Sequence, residues 1–511
     1  MFFTRTIHNC VADISVMEDI CDRYLMDGTV ENIFLCQASS EAVQAAVRYG
    51  FSDRELKAAA ADDLLISVDT RDLRTAESVL SQISSMASAD TVLDPFYTLK
   101  NPDMAFESDP EINWAMISLP HHLAYRAAVQ CMERGAGVIL TQGLQAEKEA
   151  ALKKTAVKLG VPLLGGGVQG AVIAGRSVGI CPEFSEGKVS VLGQSLIANM
   201  MLAFLLEERG IGIRSLISSG RRDCFAEESA AATLMCLDAL AADEDTDSIC
   251  LVLKSGDLNV IADVVRKARE CGKKLFLYEV GMLRNMDYEG KEDAPASLAA
   301  LADDVASWYG TARAEEDSQD LENITTLHRL KLSASQKYLR GFFMSETMCG
   351  ETASLMMPFL KTIYSNSPVK SVLLNSDTRF LKEHSVIDCA HSSFAPSARS
   401  AMLSTVKRNH RMISEAYNRT VAVILADWYG GLGCTGEQLE DLAECIRKSI
   451  QTAEDDGRHI AVGVIITSGE GSPVGRRTAA ETLRQAGADV FYSADEAAEY
   501  VRMIIADQED S

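Results

Sequence analysis

The stretch GKVSVLGQSLIANMMLAFLLEERGIGIRSLISSGRRD, residues 187–223, holds the organisation of the whole chain in miniature. Lys188–Leu192 is a short β-branched and apolar run. The turn Gly193-Gln194-Ser195 opens a helical pattern over Ser195–Glu208, and Arg214–Ser218 is a second β run. Strand, tight turn, helix and strand in that order imply parallel strands joined by a helical crossover.

The same rhythm extends outward. Upstream, Ile33–Cys36, Leu64–Val68, Ala115–Leu119, Val138–Thr141 and Val161–Leu164 read as strands. His121–Arg134 and Lys148–Leu159 read as helices stopped by Gly135 and Gly160. Downstream come helix Ala226–Ala241, strand Ile249–Leu253, helix Asn259–Glu270 and strand Lys274–Glu279. The pattern weakens over Arg284–Asn323, where Asp303, Asp304, Glu315, Glu316 and Asp317 gather as the solvated face of a partly helical connector. It restarts near Tyr338 with strands Gly341–Ser345, Ser371–Asn375, Thr420–Ala426, Ala461–Thr467 and Asp489–Tyr492. A helix starting at Glu351 and helices Glu437–Thr452 and Arg476–Ala486 flank them. The expectation is an α/β chain of mainly parallel sheets. It has a Rossmann-like domain over 1–165, a flavodoxin-like domain over 185–285, an acidic connector over 286–337 and a flavodoxin-like domain over 338–511.

Composition bounds the function. The 511 residues suit several domains of about 150 residues each. Forty-nine basic against 73 acidic residues leave a net charge of −24, which repels phosphate backbones and anionic lipid surfaces. Nucleic acid and membranes are therefore not expected as partners, and no apolar run approaches the ~20 residues of a membrane span. Thirteen cysteines lie in no CxxC pair and no zinc-finger spacing, and no signal peptide is visible. A cytoplasmic chain with reduced thiols and no metal site is the expectation.

In an open parallel sheet, ligands bind beyond the carboxyl ends of strands, where glycine lets backbone approach and the next helix offers unpaired N–H groups. Four turns meet this description: Thr141-Gln142-Gly143, Gly165-Gly166-Gly167 with Gln169-Gly170, Gly193-Gln194-Ser195, and Gly430-Gly431-Leu432-Gly433-Cys434-Thr435-Gly436. A fifth, Gly220-Arg221-Arg222, adds two cations. None is a Walker A loop or a full dinucleotide fingerprint, and each also fits an ordinary tight turn. An anion site between the helix ends at 193–195 and 431–435, with Arg221 and Arg222 nearby, is the reading that uses most of them. Adjacent His121 and His122 cannot face one metal. His384 and His391 around Asp388 fit either an acid/base cluster or a hydrogen-bonded loop. Cys434, beside a helix start, is the one thiol with a rationale for activation.

These residues resemble the FdrA proteins, relatives of succinyl-CoA synthetase. INWAMISLPHHLAYRAAVQCMERGAGVILTQG and KLGVPLLGGGVQGAVIAG look like the CoA-binding domain of the synthetase α subunit, and residues 187–223 look like its ligase domain. VAVILADWYGGLGCTGEQLEDL and AVGVIITSGEGSPVGRRTAAETLRQAGADVF look like the C-terminal domain of the β subunit. The resemblance implies that CoA, where bound, meets Gly143, Gly165, Gly166 and Gly167. It implies a small anionic substrate (phosphate, or a carbamoyl or acyl compound), companion subunits and a chain able to form homo-oligomers. No counterpart of the phosphorylated histidine loop or of an ATP-grasp domain is found, so ATP binding is not expected. The family's Gly-Ala-Ser-Gly-Thr-Gly turn is here Gly193-Gln194-Ser195-Leu196-Ile197-Ala198, which narrows the space for a ligand. The family reaction joins oxalurate and phosphate to oxamate and carbamoyl phosphate in purine breakdown. The readings left open are a carbamoyltransferase subunit, a scaffold subunit, and an acyl-CoA synthetase subunit with a separate ATP-grasp partner.

Overall fold

The computed structural model describes residues 2–8, 10, 24–25, 30–38, 46–60, 63–87, 102–280, 283, 286–289, 291, 295–311, 320–367, 369, 371–391, 393–394, 405–431 and 434–505. The described strands form four sheets, two of them wholly parallel and a third mostly so. The fold class is therefore α/β with mainly parallel sheets. No described helix is long and apolar enough to cross a membrane.

The first sheet departs from the expected parallel pairing. β1 (Phe2–Ile7), β2 (Asn32–Gln37) and β3 (Leu64–Asp69) are ordered β1-β3-β2 and pair antiparallel throughout. Ile33–Cys36 and Leu64–Val68 are strands as expected, but a run apolar on both faces carries no information on direction. Helix α1 (Asp53–Ala58) starts in a capping box between Ser52 and Glu55, and α2 (Leu73–Ala87) covers the opposite face. Ile33, Leu35, Leu64, Ile66 and Val68 pack with Ala76, Val79, Leu80 and Ile83 of α2. Phe34 turns the other way and stacks on Tyr49 with ring centroids 4.6 Å apart.

After α3 (Pro102–Ser108), a second sheet alternates β4 (Trp114–Ile117), α4 (His121–Glu133), β5 (Gly137–Leu140), α5 (Ala146–Leu159) and β6 (Leu163–Leu164). Its strands are parallel in the order β4-β5-β6. Residues 1–165 thus hold two sheets rather than one.

The third sheet is ordered β12-β11-β9-β10-β7-β8. β7 (Gly170–Ile173) and β8 (Arg176–Gly179) form a hairpin about Ala174-Gly175, both at positive φ (49° and 79°), as a tight two-residue turn requires. β7 runs antiparallel to its neighbour. The rest is the parallel unit expected from sequence: β9 (Glu186–Gly193), α6 (Leu196–Glu207), β10 (Ile213–Ser218), α7 (Ala231–Ala242), β11 (Ser248–Leu253), α8 (Leu258–Glu270) and β12 (Lys274–Glu279). Helix α7 begins later than expected because residues 221–230 are turns.

The connector is more than a solvated tether. It carries α9 (Leu298–Tyr309) and α10 (Leu321–Lys331). Leu298, Leu301, Ala302, Val305 and Ala306 bury one face of α9, while Asp303 and Asp304 occupy the outer face. Asp303 reaches the Arg209 guanidinium at 2.6 Å.

The fourth sheet is ordered β15-β14-β16-β13-β17-β18-β19, parallel in every pair. Its elements are β13 (Tyr338–Phe343), α11 (Glu346–Leu360), β14 (Tyr364–Ser365), β15 (Leu373–Leu374), β16 (Ser385–Asp388), α12 (Val406–Ala416), β17 (Val421–Tyr429), α13 (Gly436–Asp455), β18 (Ala461–Thr467), α14 (Arg476–Gln485), β19 (Asp489–Phe491) and α15 (Ala494–Ile505). Helix α11 starts five residues before the expected Glu351, because Ser345 accepts the Met348 N–H at 3.2 Å and caps it directly at the strand end. One apolar core runs from β9 and α6 through α9 into α11 and the strands of the fourth sheet.

The second and third sheets are joined by a buried ion cluster. Lys153 of α5 lies 2.7 Å from both Asp223 and Glu228, and its ammonium also donates to the Ser219 carbonyl at 3.1 Å. All three charged side chains are sealed from solvent. Burial raises the Glu228 pKa, with Lys153 pulling against it. Lys153→Met leaves buried Asp223 without its cation and Glu228 with only Arg222 at 3.4 Å, and should cost about 3–5 kcal/mol in urea unfolding. Adding Asp223→Asn and Glu228→Gln should restore part of that loss.

Candidate functional site

Side chains beyond the carboxyl ends of β9, β10 and β11 in the third sheet meet those beyond β13 in the fourth. β9 ends at Gly193, whose Cβ position lies 2.5 Å from both the Asn199 side chain and the Val252 carbonyl, so only glycine fits. Ser195 then caps α6, accepting the Ala198 N–H at 3.4 Å. From the fourth sheet, Ser345 caps α11 in the same manner. The two starts meet: the Ser195 and Thr347 hydroxyls share a hydrogen bond of 2.8 Å. Each helix start carries roughly half a positive charge and unpaired N–H groups, so two together favour an anion.

Around this junction stand Arg221 beyond β10, Lys254 beyond β11, Glu346 at the first turn of α11 and Asp388 at the end of β16. Lys254 donates to Glu346 at 2.8 Å, and Arg221 lies 3.9 Å from the same carboxylate. Side-chain exposure falls from 68% at Arg221 through 32% at Glu346 to 15% at Lys254, which orders them from rim to floor. Asp388 is buried beneath them.

Burial alone would raise the Glu346 pKa, but Lys254 and Arg221 outweigh it and hold the carboxyl below its ordinary value. Asp388 goes the other way: burial, with the Glu346 charge adding to it, pushes it up to about 7. Burial holds the His391 imidazole below its usual value against the pull of Glu346. Asp427, deeper in β17, is pushed up to about 6 by burial, while Arg408 at 3.1 Å opposes the shift. Asp427 also accepts the Met344 N–H through both oxygens, at 3.0 and 2.9 Å, and so fixes the strand end that leads into α11.

Gln194 gives the narrowed turn its form. Its amide nitrogen donates to the carbonyls of Arg221 (3.2 Å) and Ser255 (2.6 Å). Its amide oxygen accepts the N–H groups of Lys254 (2.7 Å) and Ser255 (3.1 Å). The side chain ties three strand-end turns together. Its own hydrogen-bonding capacity is spent there, and the ligand-facing groups are those around it.

The other sequence candidates fall into separate places. Gly220, at φ 98°, packs its backbone against Gly165 of the second sheet. Arg222 lies 3.4 Å from Glu228 and over the Phe225 ring, so its charge belongs to the Lys153 cluster. Gly430 donates to the Thr467 carbonyl at 3.0 Å, and Gly431 lies against Tyr429. Thr435 is engaged in a capping box with Gln438 at the start of α13. Burial pushes the Cys434 thiol up to about 12, the opposite of the shift that makes a nucleophile. Gly433 lies outside the described residues. Among the described residues no cluster of three or more side chains could hold a metal ion.

The turn at 165–167 has its N–H groups occupied from within. Gly166 donates to the Glu149 carboxylate at 2.7 Å, Gly165 to the Ser219 carbonyl at 3.3 Å and Gly167 to the Leu140 carbonyl at 3.1 Å. Glu149 also accepts the Leu144 N–H at 3.4 Å. A Cβ on Gly166 would lie 2.5 Å from the Gly143 backbone, so the two glycines are in close contact. With Glu149 seated there, these N–H groups do not fit a CoA phosphate.

Glu149, Glu346 and Thr347 were absent from the sequence expectations, and Asp388 was left open between two roles. Asp388 does carry a signal in sequence: it ends the short run Ser385-Val386-Ile387, and β16 is a buried strand where a loop between histidines was one reading.

No family model matches the chain. It is 26% identical over 448 residues to YahF of Escherichia coli (strain K12), a protein described as uncharacterized, covering 86% of this chain and 85% of that one. Among solved structures it is similar to the apo form of a dinucleotide-forming acetyl-coenzyme A synthetase 1 from Ca. Korarchaeum cryptofilum. That likeness has 16% identity, covers 78% of this chain and 83% of the other, and has a TM-score of 0.26. It is also similar to ATP citrate lyase from Methanothrix soehngenii in complex with citrate and coenzyme A, at 15% identity, 43% and 39% coverage and a TM-score of 0.31. At such scores the fold rests on the chain's own sheets.

Gln194→Ala should strip partners from two carbonyls and two N–H groups at once. A loss of at least about 2 kcal/mol in stability is expected, with faster amide exchange confined to the turns at 221 and 254–255.

Proposed function

We propose that this chain is the anion-holding subunit of a group-transfer enzyme of the FdrA kind, moving a carbamoyl or acyl group to or from phosphate. The observation that carries the reading is the junction of two capped helix starts at Ser195 and Thr347, with Lys254 and Arg221 on one side of it. Fixed N–H dipoles and two cations can stabilise the negative charge that develops when a phosphate oxygen attacks a carbonyl carbon. The resemblance of residues 187–223 and 421–442 to synthetase ligase domains supports the same reading. CoA has no part in this proposal, because Glu149 occupies the turn it would need. The oxalurate–phosphate reaction of purine breakdown is the transfer we propose, carried out with companion subunits.

A second reading, a scaffold subunit without catalysis, is favoured by the altered turn at 193–198, where Leu196 and Ile197 stand at the family's glycine and threonine. The two are separated by ligand binding. Phosphate or carbamoyl phosphate at about 100 times its Kd should stabilise the chain by about 2.7 kcal/mol, read as a thermal shift. Arg221→Gln and Lys254→Gln should each weaken the response at least about tenfold in apparent Kd, or about 1.4 kcal/mol. The chain purified with its native companions should then consume oxalurate only when phosphate is present. No shift at any phosphate concentration would leave the scaffold reading.

A further inference from the structure

The cleft contains two carboxylates in opposed surroundings, and this points to where a proton is kept. Glu346 sits at the start of α11 with Lys254 at 2.8 Å and Arg221 at 3.9 Å, so its negative charge is matched. Among the described residues Asp388 has no such cation in contact. It lies at the carboxyl end of β16, between β14 and β13, in the interior of the fourth sheet. The charges that reach it are those of Glu346 from α11, Lys254 from beyond β11 and Asp427 from β17. The thiols of Cys349 and Cys389, both buried with raised pKa values, adjoin it as neutral groups. His391, three residues on, is turned into a local network: its Nδ1 meets the Ser393 hydroxyl at 2.8 Å.

Hydrogen bonds fix the position of Asp388. The Asn366 side chain clamps its backbone from β14, accepting the Asp388 N–H and donating to the Asp388 carbonyl, both at 2.8 Å. The Ala390 N–H donates to Oδ1 at 2.9 Å. A fixed, buried carboxyl beside an ionised one is the arrangement in which the two take different protonation states.

We propose that Asp388 is the proton-bearing group of the cleft: its neutral carboxyl donates to the bound anion, while Glu346 stays ionised on Lys254 and Arg221. Anion binding is then coupled to one proton. In a transfer from an amide to phosphate, the phosphate oxygen forms a bond to the carbonyl carbon and the carbon–nitrogen bond breaks. The leaving nitrogen takes the proton from Asp388, and the proton of hydrogen phosphate restores the carboxyl. The raised pKa of about 7 agrees with a group neutral below neutrality and ionised above it. Such a group supports the folded, anion-bound state below the unfolded carboxylate pKa, and that support is lost as the pH rises through about 7.

This inference rests on the anion-holding reading of the cleft, and the test separates the two. The probe is sulfate, which does not titrate between about pH 5 and about pH 9 while side-chain carboxyls and imidazoles can. The thermal shift produced by sulfate in the full chain should be large at the acid end and fall at least about tenfold in apparent affinity across that range, with its midpoint near 7. Asp388→Asn, which keeps the shape and cannot ionise, should make the response flat. His391→Gln should leave the wild-type profile in place. Independently of any ligand, the carboxyl carbon resonance lost in Asp388→Asn should titrate near 7 in the wild type. A wild-type sulfate response that is flat with pH, a profile abolished by His391→Gln instead, or an Asp388 carboxyl titrating in the ordinary range overturns the proposal and leaves the anion site standing. Absence of sulfate binding at every pH overturns both. A pH-dependent response without oxalurate turnover supports the proton site and removes only the assigned substrate.

Discussion

Helix α6 has almost no polar face, and the rest of the molecule is arranged around that constraint. From Leu196 to Leu206 every residue except Ile197 is buried. A helix apolar all round has to be covered all round. The third sheet covers one side, α9 of the connector covers another, and α11 and the fourth sheet complete the enclosure in one shared core. The two capped helix starts meet at the edge of this shared core, through the Ser195 and Thr347 hydroxyls.

What could be read from the sequence follows the distance over which each feature is decided. The strand–turn–helix at Gly193 and Ser195 is settled within a dozen residues, and it was legible. So were β17, β18 and the helices beside them, whose long apolar runs leave little choice. The antiparallel first sheet was not, because β1 is half-buried along its whole length and carries no strong pattern. The cleft was only half legible for a different reason. Ser195 meets Thr347 across 152 positions of sequence, and Lys254 meets Glu346 across 92. The expected partner of the 193–195 turn was the helix end at 431–435, the pair that the resemblance to the synthetase implies. The contact is made instead by Ser345-Glu346-Thr347, a helix start with no glycine in it.

The electrostatics repeat one theme at three depths. At the cleft, Lys254 and Arg221 hold Glu346 ionised. Further in, Arg408 partly compensates Asp427. Between the second and third sheets, Lys153 serves Asp223 and Glu228 together. The buried cations Lys153 and Arg408 each meet a buried carboxylate and a backbone carbonyl. Asp388 has no cation in contact among the described residues, which sets it apart from Glu346 and Asp427.

Glu149 has a consequence for how the chain lives with small molecules. A turn that waits for a phosphate gains stability only in proportion to the ligand present, so its folded fraction follows supply. Here the carboxylate that fills the turn belongs to the same chain, at an effective concentration no diffusing anion can match. The region around Gly166 is therefore buffered: its fold does not rise and fall with the metabolic state of the cell. The same feature makes the turn a joint held from within the chain.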